Sequence, residues 1–203
     1  MSTIATIRRL ARRDGWATRV VLTVGLLFCG GFFVARTVST PSPSSASAIV
    51  TVPLHASWAQ WYRDTQSLKR AADVIAVGTF KDNGMTTESQ KEPGIIVSDF
   101  TFTVATIVAD PGHRVQGATL AVRQTGGVVG TTRYVLEDDP LFQPNERAIL
   151  FLHEYAPGHY YVVGGPSGRF AVQGGIVRPI AQDGIKVAAS TTEIDFVSQL
   201  RTP

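Results

Sequence analysis

Any chemistry in this chain has to start from a small set of side chains. Four histidines are present, His55, His113, His153 and His159, and two of them frame the stretch His153-Glu154-Tyr155-Ala156-Pro157-Gly158-His159. A zinc-protease helix sets its histidines four residues apart on one face, with a glutamate between them as general base. Here the spacing is six. Pro157-Gly158 also breaks any helix, so the stretch reads as a hairpin turn with a histidine on each arm. Surface turn residues are the expectation, with a weak metal site across the hairpin as the lesser alternative. Glu137-Asp138-Asp139 places three carboxylates before Pro140. Consecutive residues of an extended chain point to alternate sides, which suits neither arrangement of a glycosidase pair. A solvated loop is expected there.

Ser167 stands in Gly165-Pro166-Ser167-Gly168-Arg169. This is not the G-x-S-x-G of a nucleophile elbow. Gly126-Gly127-Val128-Val129-Gly130 is glycine-rich, but no helix follows to aim its N-terminus at a phosphate. The sequence thus predicts no catalytic set, no metal and no cofactor. The segment Gly164–Phe170 holds the most information. In one reading its glycines turn the chain, Arg169 pairs with a carboxylate and Phe170 fills a barrel. In the other, Gly164, Gly165, Ser167 and Arg169 form a binding edge.

These residues need elements to hold them. Trp58, Trp61, Tyr62, Thr65, Leu68 and Ala72 recur at helical spacing, predicting a helix within residues 54–72 capped by Ser57. Val74–Phe80 is a continuous apolar run of strand length, which suits a central strand. Phe100–Val108 alternates, with Phe100, Phe102, Val104 and Val108 on one face of a half-buried strand. Shorter strands are predicted at Thr119–Arg123, Arg147–Leu152, Tyr160–Val163, Phe170–Val172 and Ile176–Val177, punctuated by glycine-rich turns. Lys81-Asp82-Asn83-Gly84 is one such turn and Asp110-Pro111-Gly112 another. A final helix is expected over Thr192–Leu200, with Ile194, Val197 and Leu200 on one side. Short strands without alternating helices point to a mainly β fold, a small antiparallel barrel flanked by short helices.

Several phrases carry a resemblance. Ala71-Ala72-Asp73-Val74-Ile75-Ala76-Val77-Gly78-Thr79, Asp139-Pro140-Leu141-Phe142, Asn145–Leu152 and Gly164–Phe170 occur in that order. Together they resemble an uncharacterised family of bacterial cell-surface domains with an "AD-hydrophobic-VVG" opening. More distantly, the order of elements is similar to netrin-like modules and tissue inhibitors of metalloproteinases. The resemblance implies an oligonucleotide/oligosaccharide-binding (OB) type barrel and a surface location, and it covers roughly residues 70–178. Asn145 stands where the bacterial pattern has glycine, and asparagine tolerates a left-handed backbone. The animal inhibitors act through an N-terminal cysteine; the only cysteine here, Cys29, lies in the apolar segment.

The 203 residues carry 44% apolar and 17% charged side chains and a formal charge of +3. That charge is lopsided. Residues 1–36 hold six arginines against Asp14, whereas residues 37–203 hold 13 basic and 15 acidic side chains. The domain therefore lacks the basic footprint that nucleic acid requires. Val20–Ala35 is uncharged and, as a helix, its 16 residues span roughly 24 Å, which flanking Arg19 and Arg36 extend by snorkelling. Five arginines before this segment keep the N-terminus cytoplasmic.

The expected organisation is a basic tail (1–19), a transmembrane anchor or signal h-region (20–36), a Ser/Pro-rich linker (37–53) and an extracytoplasmic domain (54–203). Cleavage near Ala48 is the alternative to a retained anchor, and lipidation at Cys29 is disfavoured by the bulky Phe28. The functional expectation is a non-enzymatic domain. It is tethered to the membrane by one helix and binds an extracytoplasmic protein or envelope ligand. An envelope hydrolase is the alternative, and a protease inhibitor follows only from analogy of fold.

Overall fold

The computed structural model describes residues 48–55 and 60–202. The basic tail, the segment 20–36, the linker up to residue 47, Ser57 and Trp58 lie outside the described residues. Among those described, no helix is long and apolar enough to cross a membrane.

The chain runs through β1 (Val50–Leu54), α1 (Thr65–Ala71), β2 (Val74–Phe80), β3 (Met85–Glu88) and β4 (Ile96–Ala109). It continues with β5 (Thr119–Thr125), β6 (Gly127–Val129), β7 (Thr132–Leu136), β8 (Arg147–Ala156) and β9 (His159–Val162). A 3-10 turn at Gly165–Gly168 leads into β10 (Arg169–Gln173), β11 (Ile176–Pro179) and α2 (Glu193–Arg201).

Five strands close on themselves. β2 pairs with β4 and β4 with β5, both antiparallel, and β5 runs parallel to β9. β9 pairs antiparallel with β8, which returns antiparallel to β2. The fold is mainly β, a closed five-stranded barrel with two short helices. Its strands are not all antiparallel as the sequence suggested, because the β5–β9 seam is parallel. β10 and β11 extend the sheet from the first half of β8. Strands β1, β7 and β6 form a separate three-stranded sheet in which β1 is parallel to β7.

The apolar run of β2 is explained by burial on both faces. Val74, Ala76 and Phe80 point into the barrel with Phe100, Phe102, Phe142, Leu150 and Tyr160. Ile75 and Val77 point outward, into a second core with Ile149, Phe151, Phe170, Phe196 and Leu200. Gly78 sits at a register shift in β2, where a β-carbon would come within 2.7 Å of the Phe102 ring and collide with the Thr103 carbonyl. The same irregularities change the face of β4. Phe100 and Phe102 are in the barrel, but Ala105 and Val108 are extra residues opposite β2. Val108 consequently packs on the outer core rather than in line with Phe102.

Three expectations are corrected. The first helix covers only Thr65–Ala71, capped by the Asp64 side chain on Ser67 N, and Trp61 is 46% exposed in the loop before it. Of the predicted stripe, Tyr62, in the loop before the helix, and Leu68 are buried. On α2 the buried face is Phe196 and Leu200, whereas Ile194 is 78% exposed. The span assigned to the linker ends in strand β1. Its pairing with β7 was not visible in the sequence because β7 (Thr-Arg-Tyr-Val-Leu) is short and mixed in character.

Candidate functional site

The Pro157-Gly158 turn forms as expected, and the strands it joins carry the richest surface of the barrel. Across four strands, Asp99 (β4) lies opposite Arg123 (β5), Arg123 opposite Tyr161 (β9), and Tyr161 opposite His153 (β8). The period of two along each strand sends their neighbours Phe100, Val122, Tyr160 and Leu152 into the barrel. A row of polar and aromatic side chains thus stands on the outer face over a fully apolar interior.

Both ends of the row are pinned. Arg123 donates through Nε and NH2 to the two oxygens of Asp99, at 2.8 and 2.7 Å. His153 Nδ1 lies 2.8 Å from Asp73 Oδ2, and the other Asp73 oxygen is 3.3 Å from Arg114. Arg114 in turn donates to Glu154 at 2.9 Å and holds that carboxyl below the ordinary carboxylate range. Beneath this cluster, burial and the nearby Glu154 carboxylate push the Tyr160 phenol up to about 12.

The register of the β8–β9 hairpin shifts between Glu154 and Ala156, leaving Tyr155 as the extra residue. Its ring lies nearly parallel to that of Tyr161, at 24° and 6.2 Å between centroids. His153 is 5.0 Å from Tyr161, and His159 is 6.1 Å from Tyr155. Two cations approach the Tyr155 face, Arg123 at 5.1 Å and Lys91 at 6.0 Å. Tyr161 is 43% exposed. The Tyr155 hydroxyl is buried without a hydrogen-bond partner among the described residues. Burial and the Asp99 carboxylate raise its pKa.

This row forms a ridge between two grooves. One, of about 420 Å³, is lined by Tyr62, His153, Tyr161, Gly164 and Gly165. The other, of about 330 Å³, is lined by Glu88, Lys91, Arg123, Tyr155 and His159. Rings with exposed faces and nearby guanidinium and ammonium groups stack on flat or weakly polar ligand surfaces and pair with their acidic groups. His153 and Asp73 form a pair, but no hydroxyl or thiol nucleophile joins them among the described residues.

The four residues singled out in the sequence are divided. Gly164 and Gly165 line the groove beside Tyr161; Gly164 has φ 63 and packs against the Tyr62 ring. Ser167 is buried, its hydroxyl without a partner among the described residues. Arg169 is 2% exposed and lines a different groove. It forks onto Glu146 at 2.8 and 2.9 Å, reaches Asp139 at 3.1 Å and stacks 4.2 Å from the Phe142 ring centroid. Asp139 is therefore not part of a solvated loop, although Glu137 and Asp138 are exposed. Burial pushes its carboxyl up, against the guanidinium beside it. Asn145 adopts the left-handed backbone its turn requires, with φ 66.

A larger groove of about 590 Å³ runs past Arg169, Leu141 and Asn145. Its Arg169 and Arg147 are paired with Glu146 and Glu193 respectively, leaving Arg133 as its one guanidinium without an ion pair among the described residues. The hairpin ridge is the better candidate because its aromatic face stays partly in water, Tyr161 by 43%. Among the described residues, no group of three His, Cys, Asp or Glu side chains converges as metal ligands would. His159 lies opposite Ala156 and His153 opposite Tyr161, so the two rings do not face each other.

Tyr155, Tyr161, Arg123 and Lys91 did not stand out in the sequence. The signal was there in His153-Glu154-Tyr155 and His159-Tyr160-Tyr161, since alternation around a hairpin puts four rings on one face. No family model, curated protein or solved structure matches the chain, so the geometry of the ridge carries the functional argument alone.

Proposed function

We propose that this protein is a non-enzymatic, extracytoplasmic binding domain tethered to the membrane by the apolar segment 20–36, and that it captures its partner on the Tyr155–Tyr161 ridge. The barrel belongs, in this reading, to the OB type. Its strands follow the ring order first, second, third, fifth, fourth, with a parallel seam between third and fifth, which supports that assignment. The bound partner is a protein or envelope ligand with flat or weakly polar surface and acidic groups. Nucleic acid is disfavoured by the acidic balance of residues 37–203.

The observation that carries the reading is the set of near-parallel Tyr155 and Tyr161 rings with Arg123 and Lys91 over one of them. Such rings are costly to leave facing water unless something covers them. The test places a photo-crosslinking amino acid at position 161 of the full chain in intact cells, with position 194 as the control. A discrete adduct from 161 and none from 194 supports the ridge. Equal labelling from both positions, or no adduct at 161, removes it.

A further inference from the structure

The three-stranded sheet β1–β7–β6 carries a second surface that the ridge does not use. β1 is parallel to β7, with Val50 opposite Thr132 and Leu54 opposite Leu136. β6 is antiparallel to β7, with Val129 opposite Thr132 and Val128 opposite Arg133. The start of β1 and the Gly130-Thr131 turn therefore lie at the same end of the sheet. That end is apolar: Ile49, Val50, Val128 and Val129 are all exposed, Val50 by 59%. Val50 and Val129 flank Thr132 on one face, and Val128 projects from the other.

The charges of this small sheet are sorted along its length. Arg133, one residue in from the apolar end, is exposed and has no carboxylate within ion-pair distance among the described residues. The opposite end carries Glu137, paired with His55 at 3.4 Å, and the exposed Asp138. An apolar tip backed by a cation, with acids at the far end, complements an anionic lipid surface in one orientation only.

The chain enters the sheet at this tip. Thirteen residues separate Ala35, the end of the apolar segment, from Ile49. Thirteen residues reach at most about 45 Å. An anchored chain would thus hold the tip at high effective concentration over the bilayer, where a weak contact persists.

We propose that the apolar end of this sheet, Ile49, Val50, Val128 and Val129, docks on the anionic lipid surface beside the anchor. The proposal takes its proximity from the anchored reading above and its chemistry from the exposed tip. Docked there, the tip would hold the domain in one orientation on the membrane.

The test uses the full chain in vesicles of phosphatidylcholine and phosphatidylglycerol containing spin-labelled lipid. An environment-sensitive fluorophore is attached at Val129→Cys, or at Ile194→Cys as control, each in a Cys29→Ser background. Quenching at position 129 several-fold above that at 194 is expected, as for a group held roughly 5–10 Å into the headgroup boundary. It should fall to the control level when Val50→Asp and Val128→Asp are added. Quenching at 129 no greater than at 194 overturns the proposal. A fluorophore on the native Cys29 reports separately on the anchor. If Cys29 is unquenched while 129 is quenched, the anchored reading fails and the lipid contact stands.

Discussion

Arg169 holds Glu146 in a two-pronged ion pair that ties the first residue of β10 to the turn leading into β8. The same guanidinium reaches Asp139 and lies flat against the Phe142 ring, so one side chain satisfies two carboxylates under the barrel wall. Removing it leaves the buried Asp139 unpaired. Arg169→Ala is expected to cost about 3–5 kcal/mol. Arg169→Lys should rescue little of that, because an ammonium cannot reproduce the fork. Urea unfolding midpoints of the two variants check both statements.

The ridge behaves in the opposite way. Tyr161→Ala removes a ring that is already partly in water and should change stability by no more than about 0.5 kcal/mol. It should nevertheless abolish the crosslinked adduct formed from a photo-reactive group at position 155. Thermal melting beside the crosslinking yield separates a lost partner from a lost fold.

Gly78 tests the central strand. A methyl group there meets the Thr103 carbonyl and the Phe102 ring, and neither can withdraw without disturbing the β2–β4 pairing. Gly78→Ala is expected to destabilise the domain by about 1–3 kcal/mol or more. Calorimetry measures the loss directly.

The buried face of α2 is decided by one pair of substitutions. Phe196 packs 5.0 Å from Phe170, so Phe196→Ala should cost about 3–5 kcal/mol. Ile194→Ala should lie within about 0.5 kcal/mol of the wild-type value. Equal losses at the two positions would mean that the helix is rotated from its place here.

Alkali should weaken the fold through Tyr160. Its folded pKa is raised from 10.0 to about 12, so between those values the native state keeps a proton that the unfolded chain releases. Stability therefore falls as pH rises across that window and is unaffected by this group below it. Denaturation midpoints against pH, compared between wild type and Tyr160→Phe, isolate the contribution.

Legibility in the sequence followed the strength of local patterning. Val74–Phe80 was correct to the residue because a strand buried on both faces has no polar interruption. The Asp110-Pro111-Gly112 stop and the Pro157-Gly158 hairpin were readable because turn chemistry is local. α1 was drawn too long, since Trp61 and Tyr62 fall by coincidence on the helical stripe that Leu68 occupies. β3 and β7 were missed because short strands of mixed Thr, Glu and Arg carry little apolar periodicity. The fates of Asp139 and Arg169 depended on a contact across 30 positions, which no window reveals. The ridge was hidden for a different reason. Its four rings come from both arms of one hairpin, and only the two histidines were weighed, as surface turn residues.

The parallel β5–β9 seam has a consequence for the order of folding. Neighbouring strands joined by a turn meet early, but this seam unites Ala121–Arg123 with His159–Tyr161, strands that have β6, β7 and β8 between them in the chain. Val74 likewise waits for Leu152. A chain emerging N-terminus first exposes one edge of the two-sided apolar strand β2 long before its second partner, β8, arrives. Contacts so distant in sequence slow the final closure. The interval before β8 emerges is when this protein most needs protection from aggregation.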